Sequence, residues 1–398
     1  MRLSILQENL SEGLSIVGRA ILPHSMLSIL SNILLSTDED QLKLTATNLE
    51  ISVSCWLDAQ IKDNGSITLP AYLLTNLINL MPSEQINLEM ITDMTSMNFK
   101  CARFESNIKG IDANEFPLIP TADGKKTLEL PTATLRKIIN QVIFAAADAK
   151  DARTPLTGVS MQFKDTYLIL AAADGYRLSV SRIPLTVVIP EDLQATTIIV
   201  PARSLAEVNR ISGKADPNEP VELAVAIARN QILFRLVGKS ENKHGMFHRI
   251  NLVSSLIDGK FPDFNTIMPK DFTTRSVLDT ATFLRSLKVA SLFARDTFDR
   301  VVLQITPGNG IMSGLLTLRA TSAETGDSIS KIDADVKGDA LEIAFNIRYL
   351  IDALSVIDTP QVVLETSRPD RPGVFRPVPV DVEPKEFIHV IMPMQLNR

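Results

Sequence analysis

The sequence predicts an α+β protein of three similar domains in a row, each with two helices and antiparallel sheets. Three observations predict this class. A junction between a strand-like run and a helical run occurs three times along the chain. The 398 residues exceed what one hydrophobic core organises, whereas three units of well over about 100 residues can each enclose a core. Strand-like runs also outnumber helical ones, so the repeats are interpreted as domains and not as the short units of a solenoid.

The three junctions turn at Pro70, Pro201 and Asn346, in the runs ITLPAYLLTNLINLM, IIVPARSLAEVNRIS and IAFNIRYLIDALSVI. In each, a β-rich run stops and apolar residues then recur at helical spacing. Proline suits the first helical turn because the amide hydrogen that it lacks would have no partner there, and an asparagine side chain can cap the first amides. Each junction therefore predicts the second helix of one domain.

Other landmarks keep the same order in each copy. Opening helices are predicted by apolar spacing in QENLSEGLSIVGRA, PTATLRKIINQVIFAAA and TATFLRSLKVASLFAR. Together with the junctions, these runs predict six helices, at residues 7–20, 70–81, 131–147, 201–214, 280–295 and 346–357. Alternating strands follow in LKLTATNLEISVS and LILAAADGYRLSVS, which align Asn48 with Asp174, and more loosely in LLTLRATSAETGDSISKI. The first two copies close on FPLIP and FPDFNTIMP, so the predicted domains are residues 1–125, 126–270 and 271–398.

Composition points away from secreted and membrane proteins. The N-terminal MRLSILQENLSEGL has no long apolar core, so it does not resemble a signal peptide. No run approaches the roughly 20 apolar residues of a membrane helix. Cys55 and Cys101 give no disulfide framework and are interpreted as small buried hydrophobes in a reducing compartment. The sequence therefore predicts a soluble, cytoplasmic protein.

Charge is segregated along the chain. The protein has 40 basic and 46 acidic residues and a net charge of −6, which by itself argues against nucleic-acid binding. The predicted helices nevertheless contain ten basic residues against four acidic ones. Two interpretations stay open: the cations form ordinary solvated helix faces, or they line a surface that meets a polyanion such as DNA. Aromatic residues make up only 5% of the chain, which gives little support for stacking on single strands.

Three enzyme-like patterns are present, and each has a simpler interpretation. His244 and His248 have the spacing of a zinc pair, but no glutamate follows His244 and no third ligand is evident. The glycines of GNGIMSG, at residues 308–314, suit a hairpin better than a phosphate loop. Asp174 has neither a histidine nor a nucleophile beside it in sequence. We therefore expect neither an enzyme nor a metal or cofactor site.

Three motifs point to a family. They are ADGYRLS at 173–179, DGKFPDFNTIMPK at 258–270 and VIMPMQL at 390–396. With the triple domain order, they make the whole chain resemble the bacterial DNA polymerase III beta subunits, the sliding clamps. The resemblance implies a head-to-tail homodimer that closes as a six-domain ring of the DNA-clamp type, with helices lining the hole. It further implies a processivity factor that encircles duplex DNA without sequence specificity, is opened by a clamp-loader ATPase, and performs no catalysis.

The resemblance also implies a hydrophobic pocket between the second and third domains. The DNA polymerase III catalytic subunit and other replication and repair proteins would dock short peptides there. The matching residues are Leu156, Ala173, Asp174, Gly175, Tyr176, Arg177, Leu178, Pro262, Ile267, Val390, Met392, Pro393 and Met394. Methionine suits such a site because its flexible, polarizable side chain adapts to different ligands.

Some of these positions have alternatives or depart from the family pattern. Core packing is as good an explanation for Leu178, Ile267 and Val390, and Gly175 can be a turn glycine. The family more often has histidine, threonine and arginine where this chain has Tyr176, Ala173 and Gln395. The resemblance therefore implies a peptide site whose partner preference differs.

DNA-facing and dimer positions complete the expectations. The DNA-facing residues are Arg19, Arg136, Lys137, Lys150, Arg153, Arg203, Arg210, Lys214, Arg285, Lys288 and Arg348. His24 and Ser28 replace the family's arginine and proline, which leaves Lys150 and Arg153 as the better loop contacts. The positions that match the ring joint are Ser106, Ile108, Leu292 and Phe293. The alternative function is a three-domain interaction scaffold that does not encircle DNA.

Overall fold

The computed structural model describes most of the chain. The described residues are 1–21, 27–91, 95–119, 128–164, 166–185, 189–191, 193–238, 247–309, 313–378 and 387–396.

Six helices and 25 strands alternate along the described residues in three similar series. The first series contains β1 (Arg2–Leu6), α1 (Gln7–Val17), β2 (Asn32–Asp38), β3 (Gln41–Thr47), β4 (Ile51–Asp58), β5 (Gln60–Asp63), β6 (Ser66–Pro70), α2 (Ala71–Leu80), β7 (Gln85–Ile91), β8 (Ser96–Cys101) and β9 (Phe104–Lys109). The second contains β10 (Leu128–Pro131), α3 (Thr132–Val142), β11 (Gly158–Lys164), β12 (Tyr167–Ala173), β13 (Arg177–Pro184), β14 (Thr197–Pro201), α4 (Ala202–Ser212), β15 (Pro220–Ala226), β16 (Gln231–Val237) and β17 (Arg249–Ser255). The third contains β18 (Thr274–Asp279), α5 (Thr280–Ala290), β19 (Arg300–Thr306), β20 (Gly314–Ser322), β21 (Gly326–Gly338), β22 (Leu341–Asn346), α6 (Ile347–Ser355), β23 (Gln361–Thr366), β24 (Gly373–Pro377) and β25 (Phe387–Ile391).

The chain divides into two compact units, each with its own antiparallel sheets. The first unit comprises 1–136, 190–193 and 203–256, and the second comprises 137–189, 194–202 and 257–398. The first unit contains a five-stranded sheet, β5-β1-β7-β8-β9, and an eight-stranded sheet, β10-β15-β16-β17-β4-β3-β2-β6. The second contains a twelve-stranded sheet, β14-β11-β12-β13-β25-β24-β23-β18-β21-β20-β19-β22. Strands of successive series therefore pair directly, at β4 with β17 and at β13 with β25.

The six predicted helices are confirmed, with shorter bounds. The predicted C-terminal extensions of α1, α3 and α5 are short 3-10 turns, at 18–20, 143–145 and 291–293. Asn346 caps α6 as predicted, because its side-chain oxygen accepts a hydrogen bond from the Arg348 amide at 2.9 Å. Pro70 and Pro201 differ from the prediction: each ends a strand immediately before the helix and does not lie inside its first turn.

The alignment of Asn48 with Asp174 is confirmed because both residues make the same pattern of turn hydrogen bonds. The Asn48 side-chain oxygen accepts hydrogen bonds from the amides two and three residues later, at 3.0 and 2.7 Å. The Asp174 carboxylate does the same at 2.9 and 3.0 Å. The residue after each of them has a positive φ, 75° at Leu49 and 91° at Gly175. The sequence repeat is therefore a repeat of local backbone structure.

Helices pack their apolar faces onto the sheets. In the second unit, Phe283 and Leu287 of α5 and Leu350 of α6 are fully buried in one cluster with Leu303 and Phe345 of the sheet. Both cysteines are buried, as predicted, and burial raises the pKa of the Cys55 thiol. None of the helices within the described ranges is long and apolar enough to cross a membrane.

Candidate peptide-binding site and nucleic-acid interface

The turn between β12 and β13 is held by the Arg177 side chain. Its Nε donates to the Asp174 carboxylate at 3.0 Å and its Nη1 donates to Asp352 of α6 at 2.6 Å. The guanidinium lies over the ring of Tyr349, 4.3 Å from its centroid, and 5.4 Å from that of Phe144. Ion pairs of this geometry are strong because the donor fork is rigid and little exposed. Arg177 therefore fixes the ADGYRLS turn to the third series of elements.

A second arginine, Arg153, also contacts this turn. Arg153 donates to both carboxylate oxygens of Asp151, at 3.0 and 2.8 Å, and to the Asp174 carbonyl at 3.0 Å. Hydrogen bonds from Arg153 lower the pKa of Asp151 to about 2. Gly175 suits this turn because of its positive φ of 91°, whereas the atom nearest to an added Cβ is the movable end of the Arg153 side chain.

The last strand fastens the C-terminal segment beside this turn. β25 pairs with β13 in a register that sets Val390 opposite Leu178. Beyond the strand, the Met392 amide donates to the Tyr176 carbonyl and the Met394 amide donates to the Ala344 carbonyl, both at 2.8 Å. The segment 392–394 is therefore held at two points.

The predicted pocket residues divide into a buried floor and an exposed rim. Leu156, Ala173, Leu178 and Val390 are buried in one apolar cluster. The exposed members are Gly175, Tyr176 (64%), Pro262, Ile267 (45%) and Met392 (42%). Asp174, Arg177, Pro393 and Met394 are partly buried. All of these residues belong to the second unit. Core packing accordingly describes Leu178 and Val390, whereas Ile267 is available for contact.

Sequence reasoning missed several residues that support this site. Phe261 and Phe264 join the buried floor, and both lie in the DGKFPDFNTIMPK motif, so that motif contained a usable signal. Phe144, Tyr349 and Asp352, which surround Arg177, follow from no local pattern because they are distant in the chain.

The strand β25, which pairs with β13 beside the turn, contains a buried histidine. His389 of β25 is fully buried, and its Nδ1 lies 2.6 Å from the Ser179 hydroxyl. Its ring is 5.3 Å from that of Phe144. Burial, with a smaller contribution from the positive charge of Arg177, lowers the pKa of His389 to about 3. The imidazole is therefore neutral at physiological pH.

The predicted DNA-facing cations fall into two groups. Arg136, Lys150, Arg203, Arg285 and Lys288 are exposed, and their side chains form no salt bridge with any described residue. Because no described carboxylate pairs with them, these cations are available to contact an external anion such as a DNA phosphate.

The other predicted cations have protein partners. Arg210 pairs with Glu207 at 2.7 Å and donates to the Ile16 carbonyl at 3.0 Å, and Lys214 pairs with Glu12 at 2.6 Å. The remaining paired residues are Arg19 with Glu207, Lys137 with Asp358, Arg153 with Asp151, and Arg348 with Asp299. The sequence places four acidic residues on the predicted helices. Three of them pair with nearby arginines or lysines: Glu12, Glu207 and Asp352.

The predicted dimer positions lie on an edge strand and a helix end. β9, which contains Ser106 and Ile108, is the edge of the five-stranded sheet. Ile108 is buried and Ser106 is partly buried. Leu292 is exposed at the turn after α5, and Phe293 packs partly onto the core.

Two of the enzyme-like patterns fall partly on residues that the structure does not describe. His248 Nε2 contacts the Asp58 carboxylate, and His244 lies outside the described residues, as do His24 and residues 310–312. Among the described residues, no group of three histidine, cysteine or acidic side chains is arranged to hold a metal ion.

Family models match the chain from one end to the other. The N-terminal domain of the DNA polymerase III beta subunit matches residues 1–120, its central domain matches 129–263, and its C-terminal domain matches 265–395. The chain belongs to the DNA polymerase III beta subunit family. This membership accounts for the three series of elements, because the family is itself defined by three consecutive domains.

Individual members of the beta subunit family align over most or all of their length. The chain is 29% identical to the beta sliding clamp of a Synechocystis strain over 414 aligned residues that span both proteins completely. It is 29% identical to that of Staphylococcus epidermidis over 90% of this chain and 91% of the relative. The solved sliding clamp of Bacillus subtilis superposes with a TM-score of 0.87 at 26% identity, covering both chains fully. The DNA polymerase III beta chain of Streptococcus pneumoniae gives a TM-score of 0.86 at 27% identity, covering 99% of this chain and all of that chain.

Proposed function

We propose that this chain is a DNA sliding clamp, a processivity factor that encircles duplex DNA and tethers the replicative polymerase to it. The observation that supports this most strongly is the match of all three beta subunit domains, in order, across the chain. The named sliding clamps that cover the chain completely support it further.

The mechanism is topological. A closed ring cannot leave a circular duplex sideways, so it stays bound without tight contacts. Phosphate contacts fix a protein on DNA but read no bases, and weak contacts of this kind permit sliding. We assign this role first to the exposed cations Arg136, Lys150, Arg203, Arg285 and Lys288. The cations with protein partners would meet DNA only by sharing or exchanging those partners.

The pocket in the second unit is the proposed tether. Its rim offers Tyr176, Ile267 and Met392 to an apolar peptide side chain, over a buried floor that includes Leu156 and Val390. A rigid floor with adaptable methionine at the rim suits short peptides of differing sequence. The proposed occupants are segments of the DNA polymerase III catalytic subunit and of other replication and repair proteins.

Ring closure requires a second copy of the chain. We propose a head-to-tail homodimer in which the β9 edge, at Ser106 and Ile108, meets the Leu292 and Phe293 surface of the partner. The proposed domains are residues 1–125, 126–270 and 271–398, and two chains then supply six. A clamp-loader ATPase opens the ring, the location is the cytoplasm, and the chain itself performs no catalysis.

Primer extension tests the function. With a clamp loader and the polymerase III catalytic subunit from the same organism, adding this chain should lengthen the products made from a singly primed circular template in one binding event. A scaffold that does not encircle DNA would leave product length unchanged, and that result would contradict the proposal.

A further inference from the structure

The first unit contains a second copy of the sheet that builds the peptide site. Its strand order, β10-β15-β16-β17-β4-β3-β2-β6, is matched strand for strand in the second unit by β18-β23-β24-β25-β13-β12-β11-β14. The pairing of β4 with β17 therefore corresponds to that of β13 with β25. The Asn48 turn before β4 corresponds to the Asp174 turn before β13.

The two sheets differ in chemistry at corresponding positions. In the peptide site, apolar Leu178 faces Val390 across the strand pair, and Val180 faces Ile388. Counted from the shared turn, the corresponding pairs of the first unit are Ser52 with Val253 and Ser54 with Asn251. The first unit thus has polar residues where the peptide site has an apolar floor. The polar floor would not suit the same ligand.

A cavity of about 390 Å³ opens over this polar floor. Trp56 lies in its wall, with the Arg249 guanidinium 4.0 Å and the Lys43 ammonium 4.7 Å from the ring centroid. The indole N–H donates to the Asp38 carboxylate at 2.8 Å. Phe116 and the 98% exposed Leu118 also line the cavity, and they come from the segment that follows the first series of strands. This segment corresponds to the one that contains Phe261 in the peptide site.

The lining has a cationic surplus with unused hydrogen-bonding capacity. Lys43, Arg235 and Arg249 line the cavity with one acidic residue, Asp38, which the indole and Lys43 already engage. Arg235 also pairs through Nη1 with Glu222, outside the lining, at 2.9 Å, so Arg249 is the cation that a ligand can pair with. No carboxylate of the described ranges forms a salt bridge with Arg249. Arg235 Nε and Asn251 Oδ1 are buried and have no hydrogen-bond partner there. Buried polar atoms without partners are costly, so this floor is polar and incompletely satisfied.

We propose that this cavity binds an acidic peptide segment of a partner protein, as a second docking site distinct from the apolar pocket. A carboxylate of the segment pairs with Arg249, and an apolar side chain of the segment covers Leu118. The positive charge of the lining favours an acidic ligand. The matching strand order favours a peptide, because the corresponding floor of the second unit is the proposed peptide site. The assignment does not depend on ring closure.

Intrinsic fluorescence tests the proposal directly because Trp56 is the only tryptophan of the chain. The full-length protein is titrated with the peptide EDLFDE and, separately, with the uncharged QNLFNQ. The acidic peptide should change the Trp56 emission saturably, with a Kd that weakens as salt is added. Arg249→Gln should weaken this Kd about tenfold, the usual cost of losing one hydrogen bond to a charged group.

Arg182→Gln is the matched control. It removes the same charge from an arginine of the second unit that also lies over an aromatic ring, 3.7 Å from the centroid of Tyr167, and it should leave the titration unchanged. Equal responses to both peptides, or an Arg249→Gln titration like that of the parent protein, would overturn the proposal. A saturable, Arg249-dependent response to a short single-stranded DNA but not to EDLFDE would overturn the peptide assignment in favour of a phosphate ligand.

Discussion

At the scale of single residues, Arg177 joins the Asp174 turn to Asp352 of α6 and so holds the candidate peptide site together. The motif around it was recognisable, and the exposure of Tyr176 and Met392 agrees with a contact surface. The bond from Arg177 to Asp352 joins residues 175 positions apart, and no periodicity or motif indicates such a pair. The sequence therefore indicated candidate contact residues but not the residues that hold them in place.

His389 gives a residue-scale prediction about pH. Its pKa is about 3 in the folded protein, against an ordinary value of 6.5. The unfolded chain therefore takes up a proton at higher pH than the folded chain does. Stability contributed by the neutral histidine is complete above about pH 6.5 and is lost as the pH falls toward 3, by about 1.4 kcal/mol per pH unit.

Urea unfolding between pH 7 and pH 4 measures this effect. His389→Gln keeps a polar side chain beside the Ser179 hydroxyl and cannot titrate, so its free energy of unfolding should fall less steeply with acidification. Identical slopes for the parent protein and the variant would show that His389 does not contribute.

At the scale of elements, helices were predictable and strand partners were not. Helical spacing is a local property, so all six helices were found within a few residues of their ends. Pairing of β4 with β17 brings together segments from different series of the chain and leaves no local trace. Side-chain partners were hidden for the same reason, because Lys214 and Glu12 are far apart in sequence.

The helix cations lead to an element-scale prediction. Arg203→Glu with Lys288→Glu should weaken binding of a fluorescein-labelled duplex and reduce the slope of log K against log salt, by about 0.9 for each phosphate that the variant no longer neutralises. Fluorescence anisotropy at several salt concentrations measures the slope. Lys62→Glu is the control, because it reverses a charge on the exposed strand β5 and not on a helix. It should have little effect on duplex affinity or on the salt slope. Equal effects from the helix and strand variants would contradict a specific role for the helices.

The terminal segment leads to a second element-scale prediction. Removing residues 392–398 deletes the Met392 rim and the hydrogen bond from Met394 to Ala344, while β25 stays intact. Binding of a polymerase-derived peptide should be abolished, as measured by surface plasmon resonance, while sedimentation shows the dimer unchanged. Leu80→Ala removes an exposed apolar side chain from α2 and should leave peptide affinity unaltered. Unchanged affinity after the truncation would refute the pocket assignment.

At the scale of the whole molecule, the dominant feature is repetition. One plan of strands and helices recurs three times, and the same eight-strand order occurs in both units. Repetition keeps the scaffold while the surface chemistry diverges: the floor is apolar at Leu178 and polar at Ser52. A chain built in this way can present similar helices to DNA and different docking sites to proteins.

Retention on circular DNA tests encirclement most directly. The protein is loaded by its clamp loader onto a nicked circular plasmid, unbound protein is removed by gel filtration, and half of the complex is cut once with a restriction enzyme. A sliding clamp should stay on the circle and leave the linear molecule through its ends. Equal retention on both forms, or equal loss from both, would contradict encirclement.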